Sequence, residues 1–330
     1  MLPSEVYNQS TFLTVKAAYL YYIKGFSQNQ IAKHLNISIS TVSRLISKAK
    51  EEKIIEFVIK DPFLECIELE HALKDKFLLK DIIVAPNPIE EKMEEKYQDD
   101  VDSEKQLVAL EGARYLQRII KDDDVLGIAF GKTMYHMIHY LNPCQKVRAQ
   151  FVTLHGSISF LQHDLDVIPL SRRLAMAFGG ENKFIHAEGL VSNSNLAKEL
   201  RKEKNTKNIF ELFDRVTIAI IGIGSFYPIQ DSKLSHGEFM TPDELHALQE
   251  KDVIGDVALR FFNNQGEECD TEMRERTIGI TFEQFKRIPT KIAMVSGAHK
   301  TYSVLSALKG GLIDVLIVNY ALGKALLENS

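Results

Sequence analysis

The chain has 330 residues, 45% hydrophobic and 26% charged, with a formal net charge of −5. This is ordinary globular material, and it argues against a disordered tail, a collagen-like repeat or a disulfide scaffold. The three cysteines, Cys66, Cys144 and Cys269, are far apart and form no C-x-x-C pair, which argues against a zinc cage and fits a reducing compartment.

The opening MLPSEVYNQS lacks the basic start and apolar run of a secretory signal. No stretch reaches the ~18 consecutive apolar residues that a membrane helix needs. A cytoplasmic protein without membrane contact is therefore expected. Charge is uneven: residues 1–60 carry eight Lys and Arg against four acids, and the remainder is net −9. A small basic head on an acidic body is the asymmetry of a chain whose head alone meets a polyanion.

In chain order, the first elements are short helices. Thr14 to Ile23 is apolar and helical, and Gly25 punctuates it. Ser27 with Gln30 forms a capping-box start for a helix reaching about Leu35. A third helix is expected over Ile39–Lys50, then a strand or extended edge over Ile54–Ile59. Asp61-Pro62 marks a boundary, giving a head of residues 1–61 and a body of 62–330.

The body opens with an amphipathic helix over 63–79, either packed on the larger domain or a linker helix that assists dimerisation. Residues 90–105 hold eight acids and three lysines and read as a solvated loop or an exposed helix start. Beyond them, β-rich apolar runs at 124–130, 148–155, 215–223, 291–296 and 314–318 alternate with helical stretches at 133–141, 168–178, 241–250 and 301–309. Such alternation indicates an α/β fold, a parallel sheet covered on both faces. Ligands in such folds sit beyond the carboxyl ends of the strands.

Gln28 to Leu45 fits a DNA-binding helix-turn-helix position by position. Ala32 is the small residue where two helices cross, and Asn36 stands where the turn needs a left-handed backbone. Ile37 plugs the turn, while Ile31, Leu35, Val42 and Leu45 fill the small core. These matched positions favour the motif over an ordinary three-helix core. Candidate DNA contacts are Ser27 and Gln28 at the start of the second helix. On the third they are Ser38, which also caps it, Ser40, Thr41, Ser43, Arg44 and Lys48. Small hydroxyl residues let a helix approach base edges, and Arg44 can read guanine or clamp a phosphate.

In the body, DVLGIAFGKT (124–133) is a strand ending in glycine before a helix, a ready anion site of backbone N–H groups. Lys132 adds a charge and Thr133 a hydroxyl. A nucleotide P-loop has four residues between its glycines, whereas Gly127 and Gly131 enclose three, which argues against an ATPase or GTPase. Gly297-Ala-His299-Lys300 repeats the strand-to-helix pattern, although spacing alone favours a solvated lysine at a turn. Gly222 and Gly224 end another strand, where tight packing is the simpler reading. His155-Gly156 and Gly255-Asp256 stand where further strand-end loops are expected.

YYIKGFSQNQIAKHLNISISTVSRLISKAKEEKIIEFVI (21–59) resembles the N-terminal domain of SorC/DeoR-type regulators of sugar metabolism. IGDVALRFFNNQGE, RTIGITFEQF, VSGAHK and SALKGGLIDVLIV, with DVLGIAFGKTM, are similar to the sugar-binding domain of the same family. The resemblance implies a winged-type helix-turn-helix head and a Rossmann-like body related to sugar-phosphate isomerases. It implies a phosphorylated sugar held by Gly131, Lys132 and Thr133, with Asp256, His299 and Lys300 at the sugar end. Ile39 stands where the family commonly has a polar or basic residue, and Lys132 where it has a small one. His155 replaces the lysine or glycine of some members, which removes imine capture at that position.

The expected function is a sugar-responsive transcriptional regulator, a repressor of a sugar-catabolic operon, with no cofactor and no metal. It would bind a pseudo-palindromic double-stranded operator as a homodimer or homotetramer. The competing class is an enzyme, a sugar-phosphate isomerase or hydrolase with an accessory head. Asp256, His155 and His299 are its candidate acid–base groups, but no nucleophile–base pair or metal constellation stands at a telling spacing.

Overall fold

A computed structural model of the chain describes residues 9–57, 63–86, 101–141, 144–235, 237 and 239–330. The chain divides into a head, Met1–Asp61, and a body, Pro62–Ser330.

The head contains helices α1 (Gln9–Ala18), α2 (Gln28–Leu35) and α3 (Ile39–Glu51). The helix expected over 14–23 begins earlier and ends as a wide turn over Tyr19–Ile23, closed by Lys24 N–H on Tyr19 O at 3.1 Å. The Ser27 hydroxyl accepts the Gln30 N–H at 3.3 Å, and Gln30 Oε1 accepts the Ser27 N–H at 2.8 Å. That reciprocal pair satisfies two donors that a helix start otherwise leaves open. Asn36 ends α2 in the left-handed region at φ 53°, ψ 49°. Ser38 caps α3 by accepting the Thr41 N–H at 3.1 Å. Ile31, Ala32, Val42, Leu45 and Ile46 are buried with Ala17 and Leu20, and Leu35 and Ile37 pack against them.

Among the described residues no wing strand is formed. Residues 54–57 form no strand, and residues 58 and 59 lie outside the described residues. The N–H groups of Ile54 and Ile55 both return to Ala49 O, at 2.9 and 3.2 Å. The chain thus wraps the C-terminal end of α3 instead of pairing sideways.

The body begins with α4 (Phe63–Phe77), β1 (Asp81–Ala85), α5 (Val101–Ile119), β2 (Val125–Ile128) and α6 (Lys132–His139). It continues through β3 (Gln150–Thr153), α7 (Val167–Phe178), β4 (Glu181–Lys183), α8 (Ser194–Lys202), α9 (Lys204–Phe213) and β5 (Ile218–Ile221). A short insertion follows, with β6 (Gly224–Ser225), α10 (Pro242–Glu250), β7 (Gly255–Val257) and β8 (Arg260–Phe262). The last elements are α11 (Glu272–Arg276), α12 (Phe282–Arg287), β9 (Thr290–Val295), α13 (Thr301–Lys309), β10 (Val315–Asn319) and α14 (Tyr320–Glu328).

Seven strands form one parallel sheet in the order β1-β10-β9-β5-β2-β3-β4. Except in β4, alternate residues of the strands enter different cores. Val125, Ala219, Ile221, Ala293 and Val295 pack with Leu73 of α4, Phe213 of α9 and Leu322 of α14. Leu126, Ile128, Ile218, Ile220 and Ile292 pack with Leu116 of α5, Met137 of α6 and Leu174 of α7. Burial on both faces is why these strands read as unbroken apolar runs. Each fully buried Leu or Ile contributes about 1.5–3 kcal/mol, so the two cores dominate the body's stability.

β6, β7 and β8 form a separate antiparallel sheet that the apolar runs do not announce. Asp256 is the middle residue of β7 rather than part of a strand-end loop. The runs also omit β1, a brief DIIVA between α4 and α5, and β4, whose Glu-Asn-Lys carries no apolar signal.

Asn36 gives a direct test of the head. Asn36→Val should destabilise it by about 1–2 kcal/mol, because a β-branched residue resists a positive φ, whereas Asn36→Gly should be close to neutral. Thermal unfolding of a fragment ending at residue 61 measures both.

Candidate functional site

Strand order reverses between β2 and β5. The chain passes from β2 to β3 on one side of the sheet and later returns to β5 on the other. Loops leaving neighbouring strands in opposite directions open a crevice at the carboxyl ends. A cleft of about 700 Å³, counted to its open mouth, lies there. The loop after β2 supplies Phe130, Gly131, Lys132 and Thr133, and the loop after β5 supplies Gly222 and Gly224. Ser296 comes from the end of β9, Lys300 from the turn before α13, and Asp256 from β7.

Two glycines are required by geometry. Gly131 precedes α6 at φ 133°, a conformation other residues rarely adopt, and no side chain caps the helix. The first N–H groups of α6 are thus left for another acceptor. At Gly224 a Cβ would stand 1.9 Å from Asp256 Oδ1, so any side chain there would push Asp256 out of place.

The charges are arranged in pairs around this space. Asp231 Oδ2 accepts from Lys300 Nζ at 3.1 Å and lies 2.9 Å from His299 Nε2. Burial opposes ionisation of Asp231, but Lys300 and His299 outweigh it and hold the carboxyl below its usual range. Lys300 also donates to Ile223 O at 3.0 Å. Lys132 Nζ meets Asp102 Oδ1 of α5 at 3.0 Å, and His136 Nε2 approaches the same oxygen at 3.4 Å. Asp256 is fully buried, and burial lifts its carboxyl to about 6, although Ser232 Oγ donates to it at 2.6 Å and Lys300 lies near.

Of the residues expected to bind an effector, Gly131, Lys132, Thr133, Gly222, Gly224, Asp256 and Lys300 line the cleft. His299 acts on it through Asp231, and Gly297 sits beside it, its N–H on Asn319 Oδ1 at 3.1 Å. His155 and Gly156 do not line it. After β3 the chain is drawn inward, with Gly156 N–H on Ile278 O and Ser157 N–H on Ala187 O, each at 2.9 Å. His155 is completely buried edge-on against Phe130, and burial lowers its pKa to about 4, so its ring is neutral and Nδ1 donates to Gly156 O at 2.7 Å.

Sequence reasoning missed Lys105, Asp231, Ser232 and Lys233, all of which line the cleft. Lys105 belongs to the charge-rich stretch read as merely solvated. It stands one turn into α5, where burial lowers its pKa. Residues 231–233 carry no motif; only their position after β6 brings them in.

In the head, Ser40, Ser43 and Arg44 are exposed on α3, Thr41 and Lys48 are half-buried, and none belongs to the core. Ser38 Oγ lies 2.9 Å from Ser40 Oγ and 2.8 Å from Thr41 Oγ1, and Arg44 Nη2 donates to Thr41 Oγ1 at 3.4 Å. Lys48 pairs with Glu52 at 3.5 Å. Ile39 is 51% exposed, so it is not spent on packing within the head. Ser27 and Gln28 are at the start of α2, where Ser27 is occupied as its cap.

Comparison with known proteins agrees with this division. Residues 61–328 match the family described as "Putative sugar-binding domain", and residues 15–52 match "Sigma-70, region 4". The chain is 28% identical to the deoxyribonucleoside regulator of Bacillus subtilis over 319 residues, covering 96% of this chain and 97% of that one. It is also 28% identical to the sorbitol operon regulator of Klebsiella pneumoniae over 320 residues, covering 96% and 98%. The crystal structure of the full-length sorbitol operon regulator SorC from Klebsiella pneumoniae superposes with a TM-score of 0.73 at 26% identity, covering 97% of this chain and all of that one. The chain belongs to this sugar-binding domain family and is a transcriptional regulator of the SorC/DeoR type, with a helix-turn-helix head.

The buried carboxyl makes the body's stability depend on pH. The pKa of Asp256 is raised on folding, so its contribution is full below about pH 4 and is lost as pH rises through about 6. Asp256→Asn should remove this loss. Relative to the parent, its stability should rise by about 2 kcal/mol between pH 4.5 and pH 7 in urea unfolding.

Proposed function

We propose that this regulator represses a sugar-catabolic operon and that a phosphorylated sugar in the body's cleft lowers its grip on the operator. The observation that carries this reading is the uncapped α6 N-terminus, with Lys132 and Thr133 in its first turn, opening on a cleft lined by Lys105, Lys233 and Lys300. Phosphate suits that end, since backbone N–H groups and cations converge there. Asp256, Asp231 and Ser296 give the other walls hydrogen-bonding groups suited to hydroxyls. The relatives' names add support, because they include regulators of deoxyribonucleosides, sorbitol and erythritol catabolism.

On this reading the body senses rather than catalyses. The groups placed for acid–base work are already engaged, Asp256 with Ser232 and His299 with Asp231. A homodimer or homotetramer would set two α3 helices in successive major grooves of a pseudo-palindromic site, one helical turn or ~34 Å apart. Among the described residues no helix is long and apolar enough to cross a membrane. We place the protein in the cytoplasm, with no cofactor or metal of its own.

The decisive experiment is footprinting on DNA around the protein's own gene, with and without a panel of phosphorylated sugars. A protected site that fades with one of them is expected; no protected site, or one indifferent to the whole panel, refutes the proposal. Arg44→Ala should weaken operator binding by about 1–3 kcal/mol, roughly 5- to 150-fold, in gel shifts at matched salt while ligand binding is unchanged. Lys132→Ala should do the reverse, leaving ligand-free operator binding intact and reducing the thermal stabilisation that the ligand confers.

A further inference from the structure

The start of α5 carries two opposite charges three residues apart, Asp102 in its first turn and Lys105 one turn in, which share one side of the helix. Asp102 reaches Lys132 at 3.0 Å and His136 at 3.4 Å, both on α6. It therefore supplies the carboxylate that Lys132 holds in this structure. Lys132 and His136 hold its carboxyl below the usual range against the cost of burial, so it is ionised at neutral pH.

Lys105 is the complement. It lines the cleft, it is half-buried, and among the described residues its ammonium has no hydrogen-bond or ion-pair partner. Asp231 favours its charged form, whereas Lys300, Lys132 and Lys233 oppose it. Asp231 is already shared by Lys300 and His299. A desolvated, unpaired cation beside three others is unfavourable until an anion arrives.

We propose that Asp102 is a built-in competitor for the ligand's anionic group at Lys132, and that Lys105 is the cation that receives this group when it displaces Asp102. This rests on the reading above that the cleft takes a phosphorylated ligand. The arriving phosphate and the Asp102 carboxylate carry the same sign, so they cannot share Lys132 without repulsion. Lys132 exchanges one anion for the other, while Lys105 is drawn to the newcomer. Both events act on the same end of α5, so ligand charge is converted into a change at the start of that helix. A neutral sugar could occupy the cleft but would leave the Asp102–Lys132 pair intact. The exchange thus makes the charge of the ligand, and not merely its shape, the signal.

The test uses the full-length chain with inorganic phosphate as probe, titrated by thermal shift and by isothermal calorimetry at pH 7.5, with Lys132→Ala as reference. Asp102→Asn should tighten phosphate binding roughly 3- to 10-fold by removing the competitor, and Lys105→Met should weaken it at least about 10-fold. Lys105→Arg, which keeps the charge and guards against a folding defect, should stay within about 3-fold of the parent. The proposal is overturned if Asp102→Asn binds phosphate no better than the parent, or if Lys105→Met binds it as well. The two levels separate cleanly. If Lys132→Ala weakens phosphate but the α5 variants do not change it, only this inference fails. If the parent itself does not bind phosphate, the phosphate reading of the cleft fails and takes this inference with it.

Discussion

The reversal of strand order between β2 and β5 is the constraint on which the body's chemistry depends. A parallel sheet buried on both faces leaves little room for polar groups except at its ends, and it is at the carboxyl end that the strands run into helix N-termini. There, the loops after β2 and β5 diverge, and the crevice between them collects Gly131–Thr133 on one side and Gly222–Gly224 on the other. The insertion that follows β5 closes a third side with β7. Asp256 fits there because Gly224 has no side chain to meet it.

This geometry explains why so many ionisable groups tolerate partial burial. Asp231 is balanced by Lys300 and His299, and Lys132 by Asp102. Asp256 answers burial differently, through a raised pKa and the Ser232 hydroxyl. Each arrangement holds charge or hydrogen-bonding capacity near the cleft at a cost in stability. Such a cost is offset wherever a bound molecule supplies hydrogen-bonding partners, so this lining is suited to a polar molecule over an apolar one.

Much of this was legible in the sequence, for identifiable reasons. The head was readable because its signals are local: a capping box at Ser27, a left-handed residue at Asn36 and apolar positions at helical spacing. The main strands were readable because burial on both faces makes them continuous apolar runs. The glycine turn at Gly131 is readable because strand, glycine and helix follow one another directly. Lys105, Asp231 and Lys233 were not, because they reach the cleft through tertiary packing of α5 and of an irregular loop after β6. β4 escaped because a short polar edge strand has no periodicity to detect. His155 was misplaced for a subtler reason: a strand-end position locates the start of a loop but not the direction in which the loop turns.

Separating the DNA-reading helix from the ligand cleft imposes a thermodynamic condition on how the protein can respond. A ligand shifts operator affinity only to the extent that it binds one arrangement of the protein better than another. By linkage, the operator must change ligand affinity by the same factor in return. Contacts that do not differ between arrangements, however tight, cannot contribute. The groups able to contribute are those whose partners change on binding, and on the proposed exchange the Asp102–Lys132 pair is of that kind. On the proposed exchange, regulation in this chain is a matter of trading ion-pair partners at the cleft, and the size of the response is set by how unequal those exchanges are.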